Sequence, residues 1–153
     1  MMKKIEARVV WAGREEASLL LELDYNENIT SAQLSGVGDS AFLTLLRSVR
    51  PTLKGGLREV PLPEGDSPAA LCLREVILRA KGEWDFPYQQ EELCHCRAVP
   101  TAVVDRAICV GAHTSKKVSE QTSASTACGT CRPDVEAIIA FRLNKNEPKG
   151  ESK

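Results

Sequence analysis

Two close pairs of cysteines are the residues best placed to do chemistry in this chain. Cys94 and Cys96 flank His95, and Cys128 and Cys131 follow beyond residues 97–127. Thiolates are soft ligands that suit zinc, copper(I) and iron–sulfur clusters, whereas calcium and magnesium prefer oxygen. We therefore interpret the four thiols as ligands of one metal centre.

The spacing within the pairs leaves two kinds of centre open. Structural zinc sites usually pair cysteines as C-x2-C or wider, and Cys94 and Cys96 are closer than that. Four thiolates from two loops also meet the four-cysteine requirement of a 2Fe-2S cluster, with each pair on one iron. On spacing alone, the iron–sulfur cluster is slightly favoured over zinc.

The surroundings of the cysteines follow a recognisable order. They comprise Cys94-x-Cys96, Val99, a helical stretch ending at Gly111-Ala112, the segment 114–122, Cys128-Gly-x-Cys131 and Val135. Over about residues 93–142 this pattern resembles the 2Fe-2S domain of bacterioferritin-associated ferredoxin, which also forms the middle of NifU-type proteins. The resemblance implies a 2Fe-2S cluster bound by Cys94, Cys96, Cys128 and Cys131. Pro100 stands where a capping Ser, Thr or Asp is expected, a departure that affects capping and not ligation.

Three helices are predicted around the cysteines. The first covers about 100–110 and ends at Gly111, the second covers 115–122, and the third begins near Thr130 and Pro133. The inward positions are expected to be Val103, Val104, Ala107 and Ile108 in the first helix and Val135, Ile138, Ile139 and Leu143 in the third. Cys131 then lies at a helix start and the other pair just ahead of one, where free N–H groups and the helix dipole favour anionic sulfur.

For the other polar residues near the cysteine pairs, and for the cysteine between them, the sequence gives weaker evidence of a function. Arg97 and Arg132 directly follow ligand cysteines and could offset cluster charge or face an acidic electron-transfer partner, although isolated surface arginines are common. We expect His95 to face solvent and His113 to belong to a helix connection. Cys109 is expected to be a small buried thiol.

The first half predicts a small antiparallel sheet followed by a helix. Segments 4–11 and 17–25 are rich in Val and Leu, and a third strand runs from Ile29 towards Gly36. The helix is capped by Asp39 or Ser40, carries Phe42, Leu45, Leu46 and Val49 on one face, and stops near Pro51.

A second helix should start at Ser67-Pro68 and end at Gly82, with Leu73, Val76, Ile77 and Ala80 inward. The order of three strands, helix, loop and helix over residues 4–81 resembles the IscU-like scaffold domain of NifU-type proteins. That chemistry uses three thiolates, and Ala12-Gly13 and Val37 occupy two of the matching positions. Only Cys72 matches, so we expect this half to serve as a docking module and not to assemble clusters.

The predicted fold class is α+β, a small antiparallel sheet with helices followed by a small all-α domain. The predicted domains are 1–81, IscU-like and degenerate, and 93–143, the 2Fe-2S domain. Residues 82–92, which contain Trp84, Phe86 and Tyr88, form the linker, and 144–153 form a disordered tail without a large apolar residue.

Composition limits the function classes. The net charge of −1 lacks the basic excess of a nucleic-acid binder, and no apolar run is long enough for a membrane span. No nucleophile and base arrangement is evident, so we do not expect an enzyme. We predict a cytoplasmic 2Fe-2S protein that acts in electron transfer or iron and cluster handling with a protein redox or iron–sulfur partner. A homodimer, a cluster-assembly or delivery factor, and a zinc-stabilised interaction module stay open.

Overall fold

The computed structural model describes residues 3–11, 14–94, 97–124 and 131–143. It divides the chain into two compact units, residues 1–84 and 85–153. The predicted tail and the residues Ala12, Gly13, His95, Cys96, Cys128 and Thr130 lie outside the described residues. No helix among the residues described here is both long and apolar enough to cross a membrane.

The first unit is built on a four-stranded antiparallel sheet in the order β1-β2-β3-β4. Its strands are β1 (Lys3–Val10), β2 (Glu16–Leu23), β3 (Asn28–Val37) and, after a helix, β4 (Gly55–Gly56). In β2 the alternation of buried Leu19, Leu21 and Leu23 with more exposed residues places one face of the sheet on the core. The predicted α+β class is therefore confirmed for this unit, and β4 is an addition to the three predicted strands.

Helix α1 (Ser40–Val49) follows β3 and begins where the sequence indicates. The Asp39 side chain accepts a hydrogen bond from the backbone N–H of Phe42, at 2.9 Å, so Asp39 is the N-cap. Gly36 and Gly38 lie against the Phe42 side chain, and a Cβ on either would come within 3.0 Å of it. The close approach of β3 to α1 thus requires glycine at both positions.

Helix α2 (Pro68–Lys81) is buried along most of its length. The Ser67 hydroxyl caps its start by accepting from the N–H of Ala70, and Gly82 ends it in the left-handed conformation, with φ of 75°. Its buried side chains include two charged ones, Arg74 and Glu75. Arg74 donates to the carbonyl oxygens of Pro63 and Gly65, and Glu75 accepts from Arg79 at 2.8 Å.

The second unit combines a short hairpin with three helices. Its elements are β5 (Glu92–Cys94), β6 (Val99–Pro100), α3 (Thr101–Cys109), α4 (Ser115–Thr122) and α5 (Arg132–Arg142). The three helices agree with the predicted ones, whereas the β5–β6 hairpin was not predicted. Each of the two strands is too short to show an alternating pattern.

One predicted core position in the second unit is wrong. Val103 is 45% exposed, while its neighbour Val104 is fully buried. Successive helical residues point about 100° apart, and the buried face of α3 runs through Thr101, Val104 and Ile108. Val103 therefore turns to solvent.

The aromatic residues of the predicted linker contact different units. The guanidinium of Arg79 lies 5.0 Å from the ring centroid of Trp84 in the first unit. Phe86 packs edge-to-face on Phe141 in the second, with centroids 6.0 Å apart, and Tyr88 packs on the same core. These contacts give the stretch after α2 a packing role at both of its ends.

Candidate cluster site

Cys94, the first cysteine of the first pair, is the last residue of β5. It pairs across the hairpin with Val99 in β6. Arg97 and Ala98 lie in the turn that precedes β6, and Ala98 adopts a left-handed conformation with φ of 54°. Cys94 therefore lies on the first strand of the short hairpin that precedes α3.

Hydrogen bonds tie this hairpin to the start of α3. Pro100 is the N-cap residue and offers no side-chain capping bond, as its chemistry dictates. The next residue, Thr101, instead donates from its N–H to Glu91 O and from its hydroxyl to Gln90 O, each at 2.6 Å. The Tyr88 hydroxyl adds a bond to Glu92 O at 3.2 Å. The segment leading to Cys94 is thus fixed to the helix that follows it.

Cys131 occupies the N-cap position of α5, as the sequence predicts. Its carbonyl oxygen accepts the first helical hydrogen bond, from Val135 N–H at 3.0 Å. Pro133 in the first turn has no N–H to satisfy. The remaining first-turn N–H groups and the positive end of the helix dipole lie on the side of Cys131, which favours a thiolate there.

Cys94 and Cys131 belong to the same hydrophobic core although they are far apart in sequence. Their exposed fractions are 2% and 7%, and both are members of one cluster with Val99, Val104 and Val135. Their environment is therefore shielded from water and composed of apolar side chains. Two buried thiols beside two helix starts fit a thiolate-bound cofactor.

The other two predicted ligands, Cys96 and Cys128, lie outside the described residues, as does His95. Within the part of the chain that the structure describes, no three metal-ligating side chains come together. Only one cysteine of each predicted pair is in that part. The structure accordingly brings one member of each pair into a common core.

The other polar residues and the additional cysteine named from the sequence lie where they were expected. Arg97 and Arg132 are both exposed, in the hairpin turn and at the start of α5. His113 lies in the connection between α3 and α4. Cys109 is the last residue of α3, is 1% exposed, and has its Sγ 4.0 Å from Asp105 Oδ1.

The sequence interpretation missed an ion pair that joins α3 to α5. Arg142 donates from Nε and Nη2 to the two carboxylate oxygens of Asp105, at 2.8 and 2.7 Å. The Arg142 side chain is 4% exposed and that of Asp105 22%. A signal was present, because Arg142 follows Val135 and Ile138 at the spacing of the buried face. A charged residue on an inward helix face requires a partner.

The first unit offers no comparable group of thiols among its described residues. Cys72 is 0% exposed within α2, and Val37, at the end of β3, is 63% exposed. Ala12 and Gly13, the other position matching a scaffold cysteine, are not described. A buried thiol in the core of a helix has the surroundings of a small apolar residue.

Comparison with known proteins identifies the second half of the chain. Residues 93–140 match the family model of the BFD-like 2Fe-2S binding domain. No curated protein and no solved structure matches the chain. The match supports an iron–sulfur protein with a 2Fe-2S cluster as its cofactor. It does not extend to residues 1–92, and no comparison supports an IscU-like first half.

Proposed function

We propose that Cys94, Cys96, Cys128 and Cys131 hold one 2Fe-2S cluster, and that the chain acts with a protein partner in electron transfer or in iron and cluster handling. When bound, such a cluster supplies one-electron redox chemistry. The observation that carries the proposal is the burial of Cys94 and Cys131 in one apolar core inside the matched segment 93–140.

The protein supplies shielding, charge and position. The apolar residues around Cys94 and Cys131 exclude water, and the N-terminal dipole of α5 stabilises the thiolate charge at Cys131. The bonds of Thr101 to Gln90 and Glu91 hold the hairpin in place. These residues bind and orient, and we propose no catalytic role for them.

We propose that Arg97 and Arg132 form a positive rim for an acidic protein partner. Both are exposed and each follows a ligand cysteine. A cation at the start of α5 is unfavourable with respect to the helix dipole, so fold stability does not account for Arg132. Charges at such a rim raise the rate of association with the partner and make that rate depend on salt.

We propose that the protein acts in the cytoplasm, where thiols stay reduced.

The metal content of anaerobically purified protein tests the cofactor. We expect about two irons and two acid-labile sulfides per chain. A content of one zinc and no sulfide after anaerobic reconstitution would refute the proposal.

Single cysteine substitutions test the ligand assignment. Serine at position 94, 96, 128 or 131 should abolish most of the visible absorption and iron content. Cys109→Ser is the matched control, because Cys109 is equally buried in the same unit and contacts Asp105. Bleaching by Cys109→Ser together with an intact spectrum in Cys96→Ser would show that the assignment is wrong.

The role of the first unit distinguishes electron transfer from the alternative function, NifU-type cluster assembly or delivery. We propose that this unit, with its resemblance to an IscU-like domain, docks a partner, because the full burial of Cys72 and the valine at position 37 leave no exposed thiol at those positions. Incubation of the cluster-loaded chain with an apo-ferredoxin measures delivery. Rapid transfer that Cys72→Ser abolishes would favour assembly.

A further inference from the structure

Strand β1 forms an open edge of the first sheet. It pairs with β2 on one side only, over its whole length from Lys3 to Val10. No residue of β1 makes a backbone hydrogen bond on its other side with any described residue. An unpaired strand edge is a template for pairing with another strand.

The backbone groups that point outwards from this edge can be identified. Trp11 N–H donates to Glu15 O at 2.8 Å, so the backbone groups of Trp11 point towards the β2 side. These directions alternate along a strand. The N–H and C=O groups of Lys4, Glu6, Arg8 and Val10 therefore point away from β2, and their side chains share the solvent-facing side of the sheet.

The opposite edge of the sheet is partly occupied. Strand β4 pairs with Asn28 and Ile29 of β3. Further along β3, Arg50 Nε donates to the carbonyl oxygen of Leu34 at 3.0 Å. Pairing at β1 would therefore join two sheets along the edge that, among the described residues, has no partner anywhere along its length.

We propose that β1 pairs antiparallel with β1 of a second copy of this chain, centred on Ala7. The register is set by the charges. With Ala7 opposite Ala7, Glu6 faces Arg8 of the second copy and Arg8 faces its Glu6, while Lys4 faces Val10. Opposite charges directly across from each other stabilise such a pair.

Neighbouring registers are disfavoured. Sliding the strands by one pairing step in either direction places Glu6 opposite Glu6 or Arg8 opposite Arg8. A register with an odd offset would place buried Ala7 and Val9 on the solvent side of the partner sheet. The register centred on Ala7 keeps the whole strand paired and places opposite charges across from each other.

In the monomer, the Glu6 side chain is available for this cross-strand pairing. Glu6 is exposed and makes no ion pair or side-chain hydrogen bond with any residue that the structure describes. Arg8 already contacts Glu16 on β2 and is exposed over most of its side chain. In the dimer Arg8 would lie between Glu16 of its own chain and Glu6 of the second copy.

Sedimentation of charge variants tests the proposal. Wild-type full-length chain should form a concentration-dependent dimer. Glu6→Arg and Arg8→Glu should each raise the dissociation constant about tenfold or more, because each replaces attraction by repulsion at two places. The double variant, and an equimolar mixture of the two single variants, should dimerise again. Gln33→Arg, on the same face of β3, is the control and should have no effect.

Amide hydrogen exchange in the wild-type chain provides a test without substitutions. At high concentration the amides of Lys4, Glu6, Arg8 and Val10 should become protected, and on dilution they should exchange freely. The amides of Ile5, Ala7 and Val9, which point towards β2, should stay protected throughout. A chain that is monomeric at all concentrations, or a dimer insensitive to Glu6→Arg, would overturn the proposal and leave the edge to the strand of another protein.

Discussion

Removal of the Arg142 side chain should destabilise the second unit strongly. Arg142→Met preserves much of the side chain's volume but leaves the Asp105 carboxylate without its two charge-assisted hydrogen bonds. Loss of one partner of a buried ion pair costs about 3–5 kcal/mol. The Asp105 side chain is 22% exposed and regains some hydration, so we expect about 2–3 kcal/mol. For a unit of this size that lowers the Tm by about 10–20 °C.

The two tryptophans provide an internal control for this experiment. Trp11 and Trp84 both lie in the first unit, residues 1–84. Thermal unfolding followed by tryptophan fluorescence therefore reports the first unit, and far-ultraviolet circular dichroism reports both. We expect Arg142→Met to split off an early transition by circular dichroism and to leave the fluorescence transition in place.

A double-mutant cycle measures the pair itself. Replacing both residues, with Asp105→Leu and Arg142→Met, leaves no buried charge and should recover most of the lost stability. Arg142→Lys keeps the charge but loses the bidentate geometry and should cost about 1 kcal/mol. If the coupling energy is below about 0.5 kcal/mol, or if the fluorescence transition moves equally, the ion pair does not support the second unit as described.

Three further substitutions test individual contacts. Cys72→Ser in the full chain should leave about two irons per chain, since Cys72 is buried in α2; a halved iron content in that variant would mean that the first unit binds metal. Gly82→Ala should destabilise the first unit by about 1 kcal/mol, measured by tryptophan fluorescence, because φ is 75° although no atom lies within 4 Å of the new Cβ. Thr101→Val should cost about 1 kcal/mol in the second unit through the lost bond to Gln90 O and should speed cluster loss to a chelator; unchanged kinetics would separate that bond from cluster retention.

Local signals in the sequence were sufficient for most of the helices. The bounds of α4 were predicted as 115–122 and found at Ser115–Thr122, and the Ser67 and Gly82 caps of α2 were also found. Capping residues act within three positions of the helix end, so their effect is visible in a short window of sequence. The position of Cys131 at the start of α5 follows from the same kind of signal.

The features that were not predicted from the sequence are very short strands and contacts between residues far apart in the chain. Strands β4 and β6 have two residues each, fewer than any periodic pattern needs. The Asp105–Arg142 pair joins residues 37 positions apart, and only the inward placement of both charges hints at it. The ligand roles of Cys94, Cys96, Cys128 and Cys131, and the domain boundaries at 81 and 93, stay predictions.

The loop from residue 61 to residue 66 contains two prolines, a glycine and two acidic residues. This composition is typical of a surface loop that tolerates insertions. The carbonyl groups at Pro63 and Gly65 are, however, the hydrogen-bond acceptors of buried Arg74. Insertions are usually tolerated in surface loops, but here an added residue would take these acceptors away from a cation that has little access to water. Protein engineers looking for a place to insert a tag or a reporter domain should therefore avoid this loop and use the exposed turn at Tyr25-Asn26, where the chain reverses between β2 and β3.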